Sequence, residues 1–207
     1  AVLVELMLSL QLDWRAQWQY LALFGVVLAI PAWRWLPKPQ QTTLTRQAGV
    51  ADTPPAKRFI RLMLASYFCA GYGYVISATF IVTIVERMPS LSGSGNLSFI
   101  VLGLAAAPAV LLWDLIARQT GYLKAIMLAL LAQSVAILLP LWFSSLIAVL
   151  LSAALFGATF VGVVSLVLTM AGRLYPSKPA KLMGKMTLAY GSAQVIAPAL
   201  TGYLAKA

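Results

Sequence analysis

Few residues in this chain are equipped to make or break a covalent bond. It has no histidine, a single cysteine (Cys69) and five acids: Glu5, Asp13, Asp52, Glu86 and Asp114. Without an imidazole there is no thiol–imidazole or serine–histidine pair and no zinc set, and one cysteine makes no disulfide. No cofactor or metal is called for, and what remains is binding chemistry. Between Arg61 and Glu86 the chain reads RLMLASYFCAGYGYVISATFIVTIVE, with no charge between its ends. At ~1.5 Å per residue, such a helix crosses a ~30 Å hydrocarbon layer. It carries Tyr67, Gly71, Tyr72, Gly73, Tyr74, Ser77 and Thr79, small and hydroxylated side chains for which a helix facing only lipid has little use. Two readings stand side by side. Either the glycines set close helix contacts and the hydroxyls bond a neighbour, or this helix lines a solute cavity.

Helical spacing sorts these candidates. Tyr67, Tyr74 and Ile81 lie seven apart and fall nearly on one face, whereas Tyr72, Thr79, Thr83 and Glu86 form another. Only one face can point into a cavity. The Tyr67–Tyr74 face is preferred, because Gly71 between them would leave space for a ligand. Farther along, Phe156, Thr159, Phe160 and Ser165 offer an aromatic and hydroxyl wall, with packing through Gly157 and Gly162 as the preferred explanation of that stretch. Tyr190 and Gln194 are four apart and share a face, where the amide makes either an interhelical hydrogen bond or a solute contact. Glu5 is the one acid well inside an apolar run and is the candidate for coupling to protons; its alternative is a structural pair with a basic residue. Glu86, beside Arg87, reads as half of an interfacial ion pair. Asp114, near Arg118 and Lys124, reads as part of a structural charge cluster, and Cys69 as a small packing residue.

The elements that would position these residues are membrane helices. Hydrophobic residues make up 61% of the chain and charged residues 10%, with a mean hydropathy of +0.89, against ~25% charged in an ordinary soluble domain. The expected class is all-α, a polytopic membrane protein with lipid as its surroundings. After the end of a first helix to about Leu12 and a polar turn, QLDWRAQ, helices are expected over about 18–36, 59–85, 98–113, 123–139, 146–171 and 183–204. That makes six complete spans and one partial span. Residues 37–58 form a polar linker between an N-terminal portion (1–36) and a C-terminal helical portion (59–207). The net charge of +10 does not indicate nucleic acid, because the basic residues sit in short loops. Alternate loops hold twelve and three of the lysines and arginines, which puts the linker on the cytoplasmic side. AVLVELMLSL lacks the basic start and cleavage site of a signal peptide and is too short to span; it reads as the end of a helix.

Three stretches resemble the major facilitator superfamily. DWRAQWQYLALFGVVLAIPAWRWLP is similar to that family's sixth helix running into its central loop. WDLIARQTGYLKA, with Asp114, Arg118, Gly121 and Lys124, is a degenerate copy of its D-R-x-G-R-R loop. It departs from the pattern in the four-residue Asp–Arg spacing and the reduced basic pair. GRLYPSKPAKLMGKMTLAYGSAQVIAPALTGYLA resembles the eleventh helix and the loop before it, best at Gly191, Gln194, Pro198 and Gly202. YFCAGYGYVISATFIVTIVE looks most like the bacterial YbfB/YjiJ-like subgroup. The resemblance implies a secondary transporter of the bacterial cytoplasmic (inner) membrane, in which two helical halves rock about a midplane cavity and move a small-molecule substrate. It also implies that the chain runs from the end of helix five to helix eleven, with helices one to four, most of five, and helix twelve as missing partners of the same protein.

Other functions remain open at this stage. A membrane sensor or scaffold could keep such a fold without the transport cycle, and a fragment could be inactive alone. An intramembrane hydrolase lacks a base for any serine nucleophile.

Overall fold

The computed structural model describes residues 2–35, 54–88, 93–143 and 145–204; the linker residues 36–53 and the side chain of Glu5 lie outside that description. Among the described residues every regular element is helical: α1 (Val2–Ser9), α2 (Trp14–Trp35), α3 (Lys57–Glu86), α4 (Gly95–Ala106), α5 (Ala109–Thr120), α6 (Tyr122–Trp142), α7 (Leu146–Leu174) and α8 (Pro179–Leu204). Contacts divide the chain into two compact units, 1–48 and 49–207.

In the first unit, α2 begins at Trp14, inside the stretch expected to be a turn. The cause is a cap: the Asp13 carboxylate accepts the Ala16 N–H at 2.9 Å, satisfying one of the free donors of the first turn. The turn itself shrinks to residues 10–13, with Gln11 at φ 54°. From Tyr20 to Trp33 α2 carries no charged side chain on any face, and the helix buries no residue, the pattern of a helix whose surroundings are lipid or other helices.

The second unit is organised around α7. This helix has 29 residues, about 43 Å at the usual rise, and packs against α4, α5, α6 and α8, while α3 packs chiefly on α8. Its start is fixed by Ser145, whose hydroxyl accepts the Ala148 N–H. The close contacts fall where side chains are smallest. A Cβ on Gly157 would run into the backbone carbonyl of Leu102 on α4, and one on Gly162 into the indole of Trp113 on α5. Two hydrogen bonds join neighbouring backbones: the Trp113 indole N–H donates to the Ala158 carbonyl at 2.6 Å, and the Ser152 hydroxyl to the Ala136 carbonyl at 2.6 Å. With little hydrophobic drive between helices in lipid, close approach and such bonds hold the bundle.

Four helices are long and apolar enough to cross a membrane (α2, α3, α6, α7), or five if α4 and α5 form one span bent by 45°. The bend corrects the single straight helix expected over 98–113. Pro108 follows Ala107 at the break, removing a helix hydrogen bond and crowding the preceding turn; beyond it α5 continues to Thr120. α8, expected as a sixth span, has 26 residues but is not among those four or five. It carries Lys181, Lys185 and Gln194 along with several hydroxyl residues. Pro31, Pro140 and Pro198 lie inside helices that continue through them. Cys69 is exposed rather than packed.

Glu86 also departs from expectation. Its carboxylate accepts the backbone N–H of Gly93 at 2.7 Å and of Gly95 at 2.8 Å, tying the end of α3 to the first turn of α4. It does not pair with Arg87. Among the described residues the one ion pair is Asp114–Arg118. The two N–H donors hold the Glu86 carboxyl below the usual carboxylate range.

Gly157→Ala should lower stability by about 1–3 kcal/mol, because a backbone carbonyl cannot swing aside. Gly103→Ala, with nothing within 4 Å of the added carbon, should be neutral or stabilising by up to about 1 kcal/mol. Thermal unfolding in detergent checks both, and equal melting temperatures for the two variants would contradict this packing. The Glu86 cap is fully effective above the ordinary carboxyl value of 4.5 and is lost as pH falls through the lower folded value. Glu86→Gln should flatten the acid limb of the stability curve, and an unaltered limb would contradict the cap.

Candidate solute site

Five of the residues singled out from sequence meet at one junction. The Tyr67 ring on α3 lies 4.7 Å from the Tyr190 ring on α8, and Tyr190 lies 6.0 Å from Tyr74, two turns farther along the same face of α3. Tyr74 stacks on Phe160 of α7 at 4.9 Å and on Phe156 at 6.3 Å, and the two phenylalanines are 5.7 Å apart. Five rings from three helices therefore form one connected path. Offset and tilted ring pairs at these separations contribute beyond simple burial. Tyr67 and Phe156 are buried, at 3% and 2% exposed, whereas Tyr74, Phe160 and Tyr190 each keep part of their surface open.

The seven-residue spacing picked the face that packs inward. Tyr74, Ala78 and Ile81 all lie against the core of Leu102, Ala136, Ala153 and Phe156. The room for a ligand expected beside Gly71 is not there. The space beside Gly71 is filled by Tyr190, whose backbone oxygen would lie 2.8 Å from a Cβ there. Gly71 thus marks the crossing of α3 and α8.

The remaining candidates are dispersed. Tyr72 is half-buried and Thr79 exposed. Thr159 is buried, and its hydroxyl donates to carbonyls of its own helix, Leu155 at 2.8 Å and Phe156 at 3.0 Å. Gln194 is half-buried one turn beyond Tyr190. A cavity of about 220 Å³ opens between α3, α6 and α7, lined by Met63, Ser66, Tyr67, Ile126, Leu130 and Val163 among others. Of the sequence candidates only Tyr67 borders it. A buried amide escaped the sequence reading: Gln133 of α6 is 5% exposed, and its Oε1 has no hydrogen-bond partner among the described residues. The signal was there, a lone amide in an apolar helix.

At the other end of the charge scale, the motif loop is a compact network. Arg118 Nε donates to Asp114 Oδ2 at 2.8 Å, one helical turn away, and the Tyr122 hydroxyl donates to Oδ1 at 3.2 Å. The Arg173 guanidinium, from the end of α7, lies 4.3 Å from the centre of the Tyr122 ring. Gly121 turns the chain between α5 and α6 at φ 89°, ψ 149°, a conformation that is essentially glycine's alone. Lys124 is exposed on the first turn of α6. The same end of this unit carries Lys57, Arg58, Arg61, Lys178, Lys181 and Lys185.

Long apolar helices, joined by glycine-mediated crossings and carrying their charge at one end, define a polytopic membrane protein. A family model described as an uncharacterised MFS-type transporter, YbfB, matches residues 1–207. The chain belongs to that family of the major facilitator superfamily, and is a transporter rather than an enzyme. Neither the curated proteins nor the solved structures compared with it give a match.

Proposed function

We propose that this protein moves a small neutral, aromatic or amphipathic solute across the bacterial cytoplasmic membrane by alternating access. The observation that carries this reading is the convergence of Tyr67, Tyr74, Phe160 and Tyr190 from α3, α7 and α8 on one junction. Ring faces and phenol hydroxyls suit a planar or weakly polar solute, and no carboxylate or ammonium reaches the five rings from the described helices to demand a charged one. Helices meeting at a single midplane site are what a rocking mechanism needs, since the site can then open to either side as the helices tilt. The basic helix ends face the cytoplasm on this reading, as the loop charges require, and with them the linker 37–58. Glu5 supplies proton coupling, being the acid set within an apolar run.

Uptake into proteoliposomes of a panel of labelled neutral aromatic solutes, with and without an imposed proton gradient, tests the proposal. Tyr74→Ala should abolish uptake of any solute the intact protein carries, whereas Tyr74→Phe should retain at least part of it. Glu5→Gln should leave exchange down a concentration gradient but remove gradient-driven accumulation. Full transport by Tyr74→Ala at normal expression would sink the site assignment. Gradient-driven accumulation by Glu5→Gln would sink the coupling. Binding with no counterflow would favour a sensor.

A further inference from the structure

We propose that the basic end of residues 49–207 holds a site for the phosphate of an anionic phospholipid, in the cleft where the start of α3, the end of α7 and the start of α8 meet. The cleft has a volume of about 160 Å³ and is lined by Ile60, Tyr175, Lys181, Leu182 and Lys185. Its chemistry divides by depth. Leu182 is buried and Ile60 half-buried, giving an apolar floor, while Lys181 and Lys185 are exposed at the rim. The two lysines are four apart and so project from one face of α8, about 6 Å from each other along the axis. Tyr175, half-buried just beyond the last residue of α7, also lines the cleft.

Charge selects the ligand. Among the described residues the acid at this end of the bundle is Asp114, already engaged by Arg118 and Tyr122. No carboxylate pairs with Lys181 or Lys185 among the described residues. Two ammonium groups with no acid partner among the described residues, over an apolar floor, match a lipid phosphodiester, whose oxygens meet the lysines while its glycerol and first acyl carbons cover Ile60 and Leu182. Basic pockets between membrane helices take anionic headgroups for this reason. A soluble phosphate would use the rim and leave the floor wet. A zwitterionic headgroup would bring a cation of its own to the lysines. The cleft shares no lining residue with the ring junction, so it is separate from the solute site.

Native mass spectrometry of the intact purified protein, titrated with phosphatidylglycerol, phosphatidylcholine or glycerol phosphate, tests this. Phosphatidylglycerol should bind and phosphatidylcholine should not, with glycerol phosphate far weaker than the lipid. The double variant Lys181→Gln/Lys185→Gln should lose roughly 25-fold in phosphatidylglycerol affinity, about 5-fold per lysine. Lys57→Gln/Arg58→Gln, which removes the same charge nearby, should lose no more than about 3-fold through the screened general field. Ile60→Ser, which keeps both lysines, should weaken the lipid and leave glycerol phosphate unchanged. Equal losses in the two double variants would overturn the site in favour of a diffuse basic surface. Glycerol phosphate binding as tightly as the lipid would overturn the lipid assignment, and so would equal binding of phosphatidylcholine.

Discussion

The second unit depends on how closely other helices can approach α7. In a bilayer, apolar side chains gain little by meeting each other instead of lipid, so association rests on close packing and on hydrogen bonds between helices. Gly157 lets the Leu102 backbone rest directly on α7, and Gly162 makes the hollow that the Trp113 indole fills. The indole then reaches the Ala158 carbonyl, and Ser152 reaches the Ala136 carbonyl of α6. Both bonds satisfy polar groups that would be costly to leave unpaired in so apolar an interior.

The aromatic junction is a consequence of that geometry. With α4, α5 and α6 drawn in against α7, the side of α7 bearing Phe156 and Phe160 is left to meet α3, and α8 completes the set through Tyr190. The contact between α3 and α8 is set by another glycine, Gly71, on which the Tyr190 backbone sits. Rings fill the space that small residues leave, so one constraint produces both the rigid crossings and the aromatic wall. The charged ends are separate in kind: Asp114, Arg118, Tyr122 and Arg173 bind one another at an exposed rim, where an ion pair adds little stability but a fixed turn at Gly121 still directs α6 back across the bundle.

Apolar run length carried most of the fold. Residues 59–85 and 146–171 differ from α3 and α7 by no more than three residues at any end, because an uncharged stretch of that length has few alternatives. Single residues carried the differences. Pro108 breaks a helix that composition alone reads as continuous, and Asp13 starts α2 four residues early by capping it. Spacing also identified which side chains share a face, and so brought Tyr67, Tyr74, Phe156 and Tyr190 into view. It could not say what stands opposite a face. Hence spacing suggests room for a ligand beside Gly71 where Tyr190 sits, and pairs Glu86 with Arg87 although the N–H groups of Gly93 and Gly95 hold its carboxylate. Partners distant in sequence are set by tertiary packing, which periodicity does not encode.

Accessibility of the ring junction is the most direct test of the alternating-access account. A cysteine placed at position 74, in a protein whose native thiol is removed by Cys69→Ser, can be challenged with a membrane-impermeant maleimide from each side of oriented vesicles. The account predicts labelling from both sides, at rates that shift in opposite directions when the protein is held open to one side. Protection from both sides under all conditions would contradict it, leaving the five rings as a sealed packing core and the solute path elsewhere.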